Sequence, residues 1–261
     1  MITREEILLN LNKFVIAKGK PVHVHSSLKA IGEIEGGAQT LLDALIEYFT
    51  DCGGILCIPS HTWNRDIMEF DSNYTCVGAL SKVALEHRNG IRSLHPTHSM
   101  VVFGDREQCL KFVENEKYSD TPVNPQGCYG NIYRMDGYVL LIGVNHTKNT
   151  FIHCVEEMLG VPERLTEEKA EKCIIHKDGT TEKRYIHWFY DEKIPDVSLN
   201  FDKYEPAFRK HGCIIDGLIG SAKVQLCSAS KMKSVIEIIR KNSGGRELLA
   251  DKTPLDAKLY L

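Results

Sequence analysis

Apolar residues fall into two alternating patterns along this chain. Ile7, Leu8, Leu11, Phe14 and Val15 recur at helical spacing behind a capping box made by Thr3 and Glu6, which predicts a first helix ending near Gly19. Pro21 opens a short strand, Val22-His-Val-His25, and Leu41 to Phe49 returns to the helical period before Gly54-Ile-Leu-Cys-Ile-Pro59 supplies a second buried strand. These pieces make a β-loop-α-β unit. Further helices are expected over Gly78 to Arg88 and Asp105 to Glu114, with a strand from Met100 to Phe103 between them, while Ser60 to Thr75 and Asp120 to Gly130 read as loops. Tyr138 to Ile142 is a continuous apolar run of the kind found in central strands, ended by Gly143 and followed by a helix from Thr150 to Met158.

Beyond Gly160 the pattern changes. Lys172 to His176 and Arg184 to Tyr190 flank Asp178-Gly179, a hairpin signal, and Gly212 to Asp216 with Lys223 to Cys227 suggest a second antiparallel pair. Asp191 to Asn200 reads as a loop, and helices are expected from Asp202 to Lys210 and from Ser230 to Asn242. The fold class is therefore α/β (α+β): a central mixed, largely parallel sheet flanked by helices, with a C-terminal antiparallel portion packed against it. No linker divides the chain, so 1–261 is read as one domain, with an α/β part over 1–160 and an antiparallel part over 161–261.

Composition narrows the function classes. At 261 residues and 43% hydrophobic content the chain can bury a sizeable core, and a formal net charge of −3 gives no reason to expect nucleic acid as a partner. No apolar run reaches membrane-spanning length, and Met1-Ile-Thr-Arg-Glu-Glu carries charges where a signal peptide would be apolar. The nine cysteines are dispersed, mostly inside apolar segments, and form no Cys-x-x-Cys pair, as expected of reduced thiols in a cytoplasmic protein. Small molecules are the expected partners, without a membrane; a homodimer is left open.

The candidate chemistry gathers where the strand ending at Ile142 gives way to the helix starting at Thr150. In an open α/β sheet, ligands bind beyond the carboxyl ends of the strands. Thr150, His153 and Glu156 are three residues apart and share roughly one helical face. A helix N-terminus disfavours imidazolium, so His153 would stay neutral and able to accept a proton, with Glu156 holding its other nitrogen. The same spacing fits a histidine that caps a turn and a solvated glutamate. Ser26 to Gly37 forms a loop of small residues that could approach a phosphate or an extended ligand, and His25 stands at its start. Arg92-Ser93 and His95-Pro96-Thr-His98-Ser99 form an extended segment, because Pro96 keeps its predecessor out of helix. Its two histidines lack the spacing and the acidic partner of a zinc site, so no metal is expected. Cys154 adjoins His153, but neighbouring helical side chains point about 100° apart, which argues against a cysteine nucleophile.

In order and spacing these landmarks resemble the aminoglycoside 3-N-acetyltransferase family, the antibiotic N-acetyltransferases unrelated in fold to the GNAT enzymes. The matching pieces are Val24-His25-Ser26-Ser27-Leu28 with Gly32 and Gly36-Gly37, Gly54 to Pro59, Arg92-Ser93 with His95-Pro96 and Ser99, Leu140 to Val144, Asn149-Thr150-x-x-His153-x-x-Glu156, and Gly217-x-x-Gly220-x-Ala222. The resemblance implies acetyl-CoA as cosubstrate, held by His25, Ser26, Ser27, Leu28 and Gly32 together with Arg92, Ser93, His95, Pro96 and Ser99. It implies His153 as general base, oriented by Glu156 with His25 near the reacting centre, and Trp63, Asp66, Thr150 and Glu157 on the acceptor side. The implied activity is acetyl transfer to the 3-amino group of the 2-deoxystreptamine ring of an aminoglycoside. The connection from Pro59 to Gly78 is shorter than expected of drug-modifying members. The resemblance thus keeps two alternatives: N-acylation of a nucleotide-linked amino sugar, and a CoA-binding protein without turnover.

Overall fold

Strand β1 (Pro21–Ser26) runs through the middle of the main sheet, where five of its six residues are buried because helices cover both faces. The structure is a computed structural model describing residues 1–14, 19–189 and 196–261. Helix α1 (Arg4–Leu11) precedes β1, and α2 (Leu28–Ile31) and α3 (Gly37–Thr50) lead to β2 (Ile55–Pro59), which pairs with β1 in parallel. The short β3 (Ile67–Glu69), α4 (Ala79–Glu86), β4 (Ile91–Arg92), β5 (Met100–Phe103), α5 (Arg106–Val113) and α6 (Cys128–Arg134) follow. Strand β6 (Tyr138–Ile142) returns to the sheet centre parallel to β1, and α7 (Phe151–Met158) follows it. The last third contains β7 (Ala170–Ile175), β8 (Thr181–Ile186), a 3-10 helix over Val197–Tyr204, α8 (Glu205–Lys210), β9 (Ile214–Ile219), β10 (Ala222–Ser228) and α9 (Ala229–Asn242).

Among the described residues, seven strands form one sheet in the order β4-β5-β2-β1-β6-β10-β9. The sheet is mixed, as expected, but its parallel part is confined to β2, β1 and β6; every other pairing in it is antiparallel. The β9–β10 hairpin was expected to lie against the sheet. It instead extends the sheet edge-on, Val224 opposite Ile142, because β6 leaves one hydrogen-bonding edge free and β10 fills it. The other antiparallel pair, β7–β8, stands in a separate three-stranded sheet with β3. The stretch around β3 reads as loop because its one buried residue, Met68, is flanked by exposed neighbours.

Period-2 alternation divides the core into two layers. Val139 and Leu141 of β6 face α5, α6, α7, α8 and α9, while Leu140 and Ile142 face α1, α3 and α4. Each fully buried Leu, Ile or Val contributes about 1.5–3 kcal/mol, so the two layers hold the strands in register. The first helix stops at Leu11, short of the expected Gly19, and Val15 lies outside the described residues. The helix expected from Asp202 begins as a 3-10 turn, and the regular α-turns start only at Glu205, with Pro206 in the first turn where its missing N–H costs nothing. The carboxyl ends of β1, β2 and β6 finish on one side, and Gly143 lets the chain leave β6 there: its φ is +65°, and a Cβ would lie 2.4 Å from the Ala30 Cβ.

Candidate active site

A cleft of about 690 Å³ opens beyond those strand ends. Its walls include His25 and Ser26 at the tip of β1, His61 and Trp63 after β2, and Thr150 and His153 on α7. Trp188 and Phe189, following β8, close it from the side of the smaller sheet. Asp191 to Pro195, expected as the start of a loop, lie outside the described residues.

His153 occupies the first turn of α7, partly buried, with its ring stacked on Phe189 (centroids 4.0 Å apart, planes 15° apart) and touched edge-on by Phe201 at 4.7 Å. Neither ring nitrogen has a hydrogen-bond partner among the described residues. The ring is neutral, with its pKa lowered to about 3 chiefly by burial and then by the nearby Arg164 charge. The helix N-terminus, invoked from the sequence, is thus not the main cause.

Glu156 does not orient His153. Its side chain is buried, and its Oε2 lies 3.0 Å from Arg164 Nε, while Arg164 Nη2 reaches Glu247 Oε2 at 2.7 Å. Three-residue spacing puts two side chains on one face, but a carboxylate driven into the core turns to the nearest cation, and Arg164 supplies one. Even so, burial outweighs the arginine and pushes the Glu156 pKa up to about 7.

His25 does share the cleft with His153. It is 8% exposed, its Nε2 is buried without a partner, and it meets His23 edge-on at 4.5 Å. Burial, then His23 and Lys148, hold its pKa well below the usual histidine range. Of the loop after it, only Ser26 joins the wall. Ser27 accepts the Ala30 amide at 3.4 Å as the N-cap of α2, Leu28 is the first residue of that helix, and Gly32 ends it, so none of the three lines the cleft.

In the Arg92 to Ser99 segment, Arg92, Ser93, His95, Pro96 and Ser99 form an internal brace. Arg92 Nη1 donates to the carbonyls of Glu69, Phe70 and Ser72 at 3.1, 3.0 and 3.2 Å, and its Nε donates to Ser99 Oγ at 3.2 Å. Ser93 Oγ accepts the Met100 amide at 3.0 Å, the Pro96 carbonyl accepts the Thr62 hydroxyl at 2.8 Å, and Ser99 Oγ donates to the Ser60 carbonyl at 2.9 Å. His95 is fully buried and bonds the Thr121 carbonyl at 3.0 Å. With those groups engaged inside the protein, none of the five lines the cleft; His98 does.

On the acceptor side, Trp63 and Thr150 line the cleft, and Trp63 is 43% exposed. Asp66 sits outside it on the surface, paired with Lys172 at 2.8 Å, and Glu157 turns away to accept the Thr121 hydroxyl at 2.8 Å. Cys154 is fully buried, with its thiol pKa raised well above the usual value, which leaves no thiolate nucleophile there. The sequence reading missed His61 and His98. The available signal was their place two residues after β2 and two residues before β5, at the same end of the sheet as His25.

The sequence model of the aminoglycoside 3-N-acetyltransferases matches residues 23–239. The chain belongs to this family. Among curated members of the family, it is 30% identical over 177 residues to aminoglycoside N(3)-acetyltransferase IV of Salmonella sp, covering 66% of this chain and 62% of that protein. It is 28% identical over 178 residues to the prophage-derived acetyltransferase-like protein YokD of Bacillus subtilis, covering 59% of this chain and 64% of that protein. The matched stretches thus span less than two thirds of either relative. The solved structure of AAC-IIIb with CoASH superposes with a TM-score of 0.75 at 20% identity, covering 89% of this chain and 94% of that one, which shows the shared fold.

Proposed function

We propose that the protein is an acetyl-CoA-dependent N-acetyltransferase acting on an aminoglycoside, at the 3-amino group of the 2-deoxystreptamine ring. The observation that carries this reading is a neutral imidazole, His153, without a hydrogen-bond partner at the wall of a cleft beyond the parallel strand ends, in a member of this family. Coenzyme A supplies the acyl group as a thioester. The orphaned Nε2 of His25, the Ser26 hydroxyl and the Lys148 ammonium suit the amide, hydroxyl and phosphate groups of such a cosubstrate.

In this mechanism the amine nitrogen adds to the thioester carbonyl, its proton passes to His153, and the imidazolium returns that proton to the sulfur as the C–S bond breaks and the thiol leaves. Trp63, Trp188 and Phe189 keep water from the reacting atoms. The cleft draws Trp188 and Phe189 from the C-terminal part as well as His25 from the N-terminal part, which supports reading 1–261 as one functional unit. The nine free cysteines support a cytoplasmic setting.

A nucleotide-linked amino sugar is the second acceptor: Asp66, on the acceptor side the resemblance implies, and its neighbour Asp71 are paired outside the cleft with Lys172 and Lys177, so neither is placed to hold a polycation, and the cleft itself carries both signs, Lys148 and Arg164 beside Glu163 and Asp196. Thiol release from acetyl-CoA against a panel of aminoglycosides and nucleotide-linked amino sugars decides: activity confined to 2-deoxystreptamine drugs supports the first acceptor, activity confined to nucleotide sugars the second. Tight CoA binding without turnover on any amine overturns both.

A further inference from the structure

Two histidines on the cleft wall have their tautomers fixed by the hydrogen bonds behind them. His61 lines the cleft, and its Nε2 turns inward to the Tyr129 hydroxyl at 2.9 Å. Tyr129 is fully buried and its hydroxyl has no other partner among the described residues, so its proton has one place to go. Tyr129 therefore donates, His61 Nε2 accepts, and the proton of the neutral ring sits on Nδ1. Nδ1 bonds no described residue and is not sealed in the core, which leaves it facing the cleft.

His98 carries the opposite group. His95 Nδ1 lies 3.1 Å from the Thr97 amide nitrogen and 2.9 Å from the His98 amide nitrogen, so it accepts, and its Nε2–H donates to the Thr121 carbonyl at 3.0 Å. The Thr97 hydroxyl is 3.3 Å from His95 Nδ1 and 3.0 Å from His98 Nδ1. Because His95 Nδ1 can only accept, the hydroxyl donates to it and accepts from His98 Nδ1–H. His98 lines the cleft with that nitrogen turned away, so its bare Nε2 is the nitrogen left for a ligand.

The His61 and His98 ring centroids are 4.5 Å apart, and burial keeps both rings neutral, lowering His61 to about 3 and His98 well below the usual range. A donor and an acceptor thus stand side by side. An ammonium has no lone pair for the first, an ether or carbonyl oxygen has no proton for the second, and the C=O and N–H of a trans amide point opposite ways. A hydroxyl meets both. Phe189 meets His98 edge-on at 5.5 Å and stacks on His153 at 4.0 Å, so the hydroxyl site and the proton acceptor flank one aromatic ring.

We propose that His61 Nδ1–H and His98 Nε2 together hold one hydroxyl of the amine acceptor, the first donating to its oxygen and the second accepting its proton, so that the cleft selects hydroxylated amines. This specificity assignment rests on the acyl-transfer reading. Imidazole 15N spectra of the wild type at neutral pH should show both rings protonated at Nδ1. Tyr129→Phe should mix the tautomers of His61 alone, and Thr97→Val those of His98 alone. Titration with 2-deoxystreptamine should shift the His61 Nδ1–H and His98 Nε2 resonances, while cis-1,3-diaminocyclohexane, the same diamine without hydroxyls, should leave them in place. An Nε2–H tautomer at either ring overturns the proposal, as do shifts that are absent or equal with the two diamines, or that acetyl-CoA alone produces.

In thiol-release assays the wild type should favour 2-deoxystreptamine over the hydroxyl-free diamine by about 10²-fold in kcat/KM. His61→Leu and His98→Leu should each cut that ratio by about tenfold. His61→Asn, which keeps a donor near Nδ1, and His98→Gln, which keeps an acceptor near Nε2, should restore part of it. Damage to the fold would slow both amines alike and keep the ratio, so an unchanged ratio in the two Leu variants overturns the proposal. Absence of thiol release with either amine counts against the acyl-transfer reading, and the titration then decides the hydroxyl site.

Discussion

Glu156 Oε2 and Arg164 Nε face each other at 3.0 Å inside the protein, and the same guanidinium holds Glu247 Oε2 at 2.7 Å. One arginine from the loop after α7 thereby ties that helix to the segment after α9. Removing a partner from a buried pair leaves a charge without compensation, which costs about 3–5 kcal/mol.

Arg164→Met should therefore lower unfolding stability by about 3–5 kcal/mol, because it strands Glu156 in the core. Glu156→Gln should cost less, since the amide keeps an acceptor for the arginine, which stays neutralised by Glu247. Chemical denaturation of the three proteins makes the comparison. Equal stability of Arg164→Met and wild type would show that the pair does not hold the helix.

His153→Ala should reduce turnover by about 10²–10⁴ while acetyl-CoA binding stays near that of the wild type, because the residue accepts a proton and is not assigned a binding contact. Normal turnover in this variant would remove His153 from the mechanism.

With Glu156 engaged elsewhere, the His153 ring is held by aromatic contacts: Phe189 flat against it at 4.0 Å and Phe201 edge-on at 4.7 Å. Phe189→Leu should leave the fold intact, because Phe189 is only partly buried. It should lower kcat more than it changes KM, and by raising the solvent exposure of the imidazole it should move the His153 pKa upward. Titration of the His153 ring by NMR reads that shift directly, and an unmoved pKa would deny Phe189 a part in setting it.

The elements legible in the sequence were those whose pattern needed no tertiary help. Strands β2, β5 and β6 are apolar runs covered on both faces, β1 starts at a proline with valines two apart, and α7 follows a cap-type pair, Asn149-Thr150. Strand β3 was invisible because pairing with β7, not its own pattern, makes it a strand. In the site, His153, His25, Ser26, Trp63 and Thr150 come together at the cleft because strand ends and helix starts can be placed from sequence. Glu156 misled because helical spacing fixes which residues share a face and says nothing of an arginine arriving from a loop eight residues on. Arg92, Ser93, His95 and Ser99 misled for a related reason: polar residues around a proline look free for a ligand until the carbonyls they brace are in view.

Gly130 in α6 offers a sharper stability test than any core truncation. A Cβ at this position would sit 1.6 Å from the Pro125 carbonyl oxygen, a backbone atom that cannot swing aside. Gly130→Ala should therefore force the 125–130 turn off the helix and destabilise the protein by more than the about 1–3 kcal/mol of ordinary overpacking. A thermal midpoint within a degree of wild type would contradict that contact.

Acid should unfold this protein earlier than its carboxylates alone would predict. Burial first of all lowers the pKa of His23, His61 and His153 to about 3 and of His95 and His146 to about 4, and holds His25 and His98 well below the ordinary 6.5. As pH falls below about 6.5 the unfolded chain takes up protons on these rings while the folded one does not. Each such difference lowers stability by about 1.4 kcal/mol per pH unit, and the loss continues until the folded pKa values are reached. Glu156 and Glu157 work in the opposite sense: burial raises both to about 7 from 4.5, so their contribution is complete below pH 4.5 and is lost as pH rises through 7. Glu116 is also raised by burial. The depressed histidines outnumber these carboxyls, so the urea midpoint should drop from pH 7 to pH 5. Below about 4.5 it should drop faster, once the carboxyls no longer oppose the trend. A midpoint that is level or rises between pH 7 and 5 would mean that the buried rings already carry protons, and with them would go the neutral His153 on which acyl transfer depends.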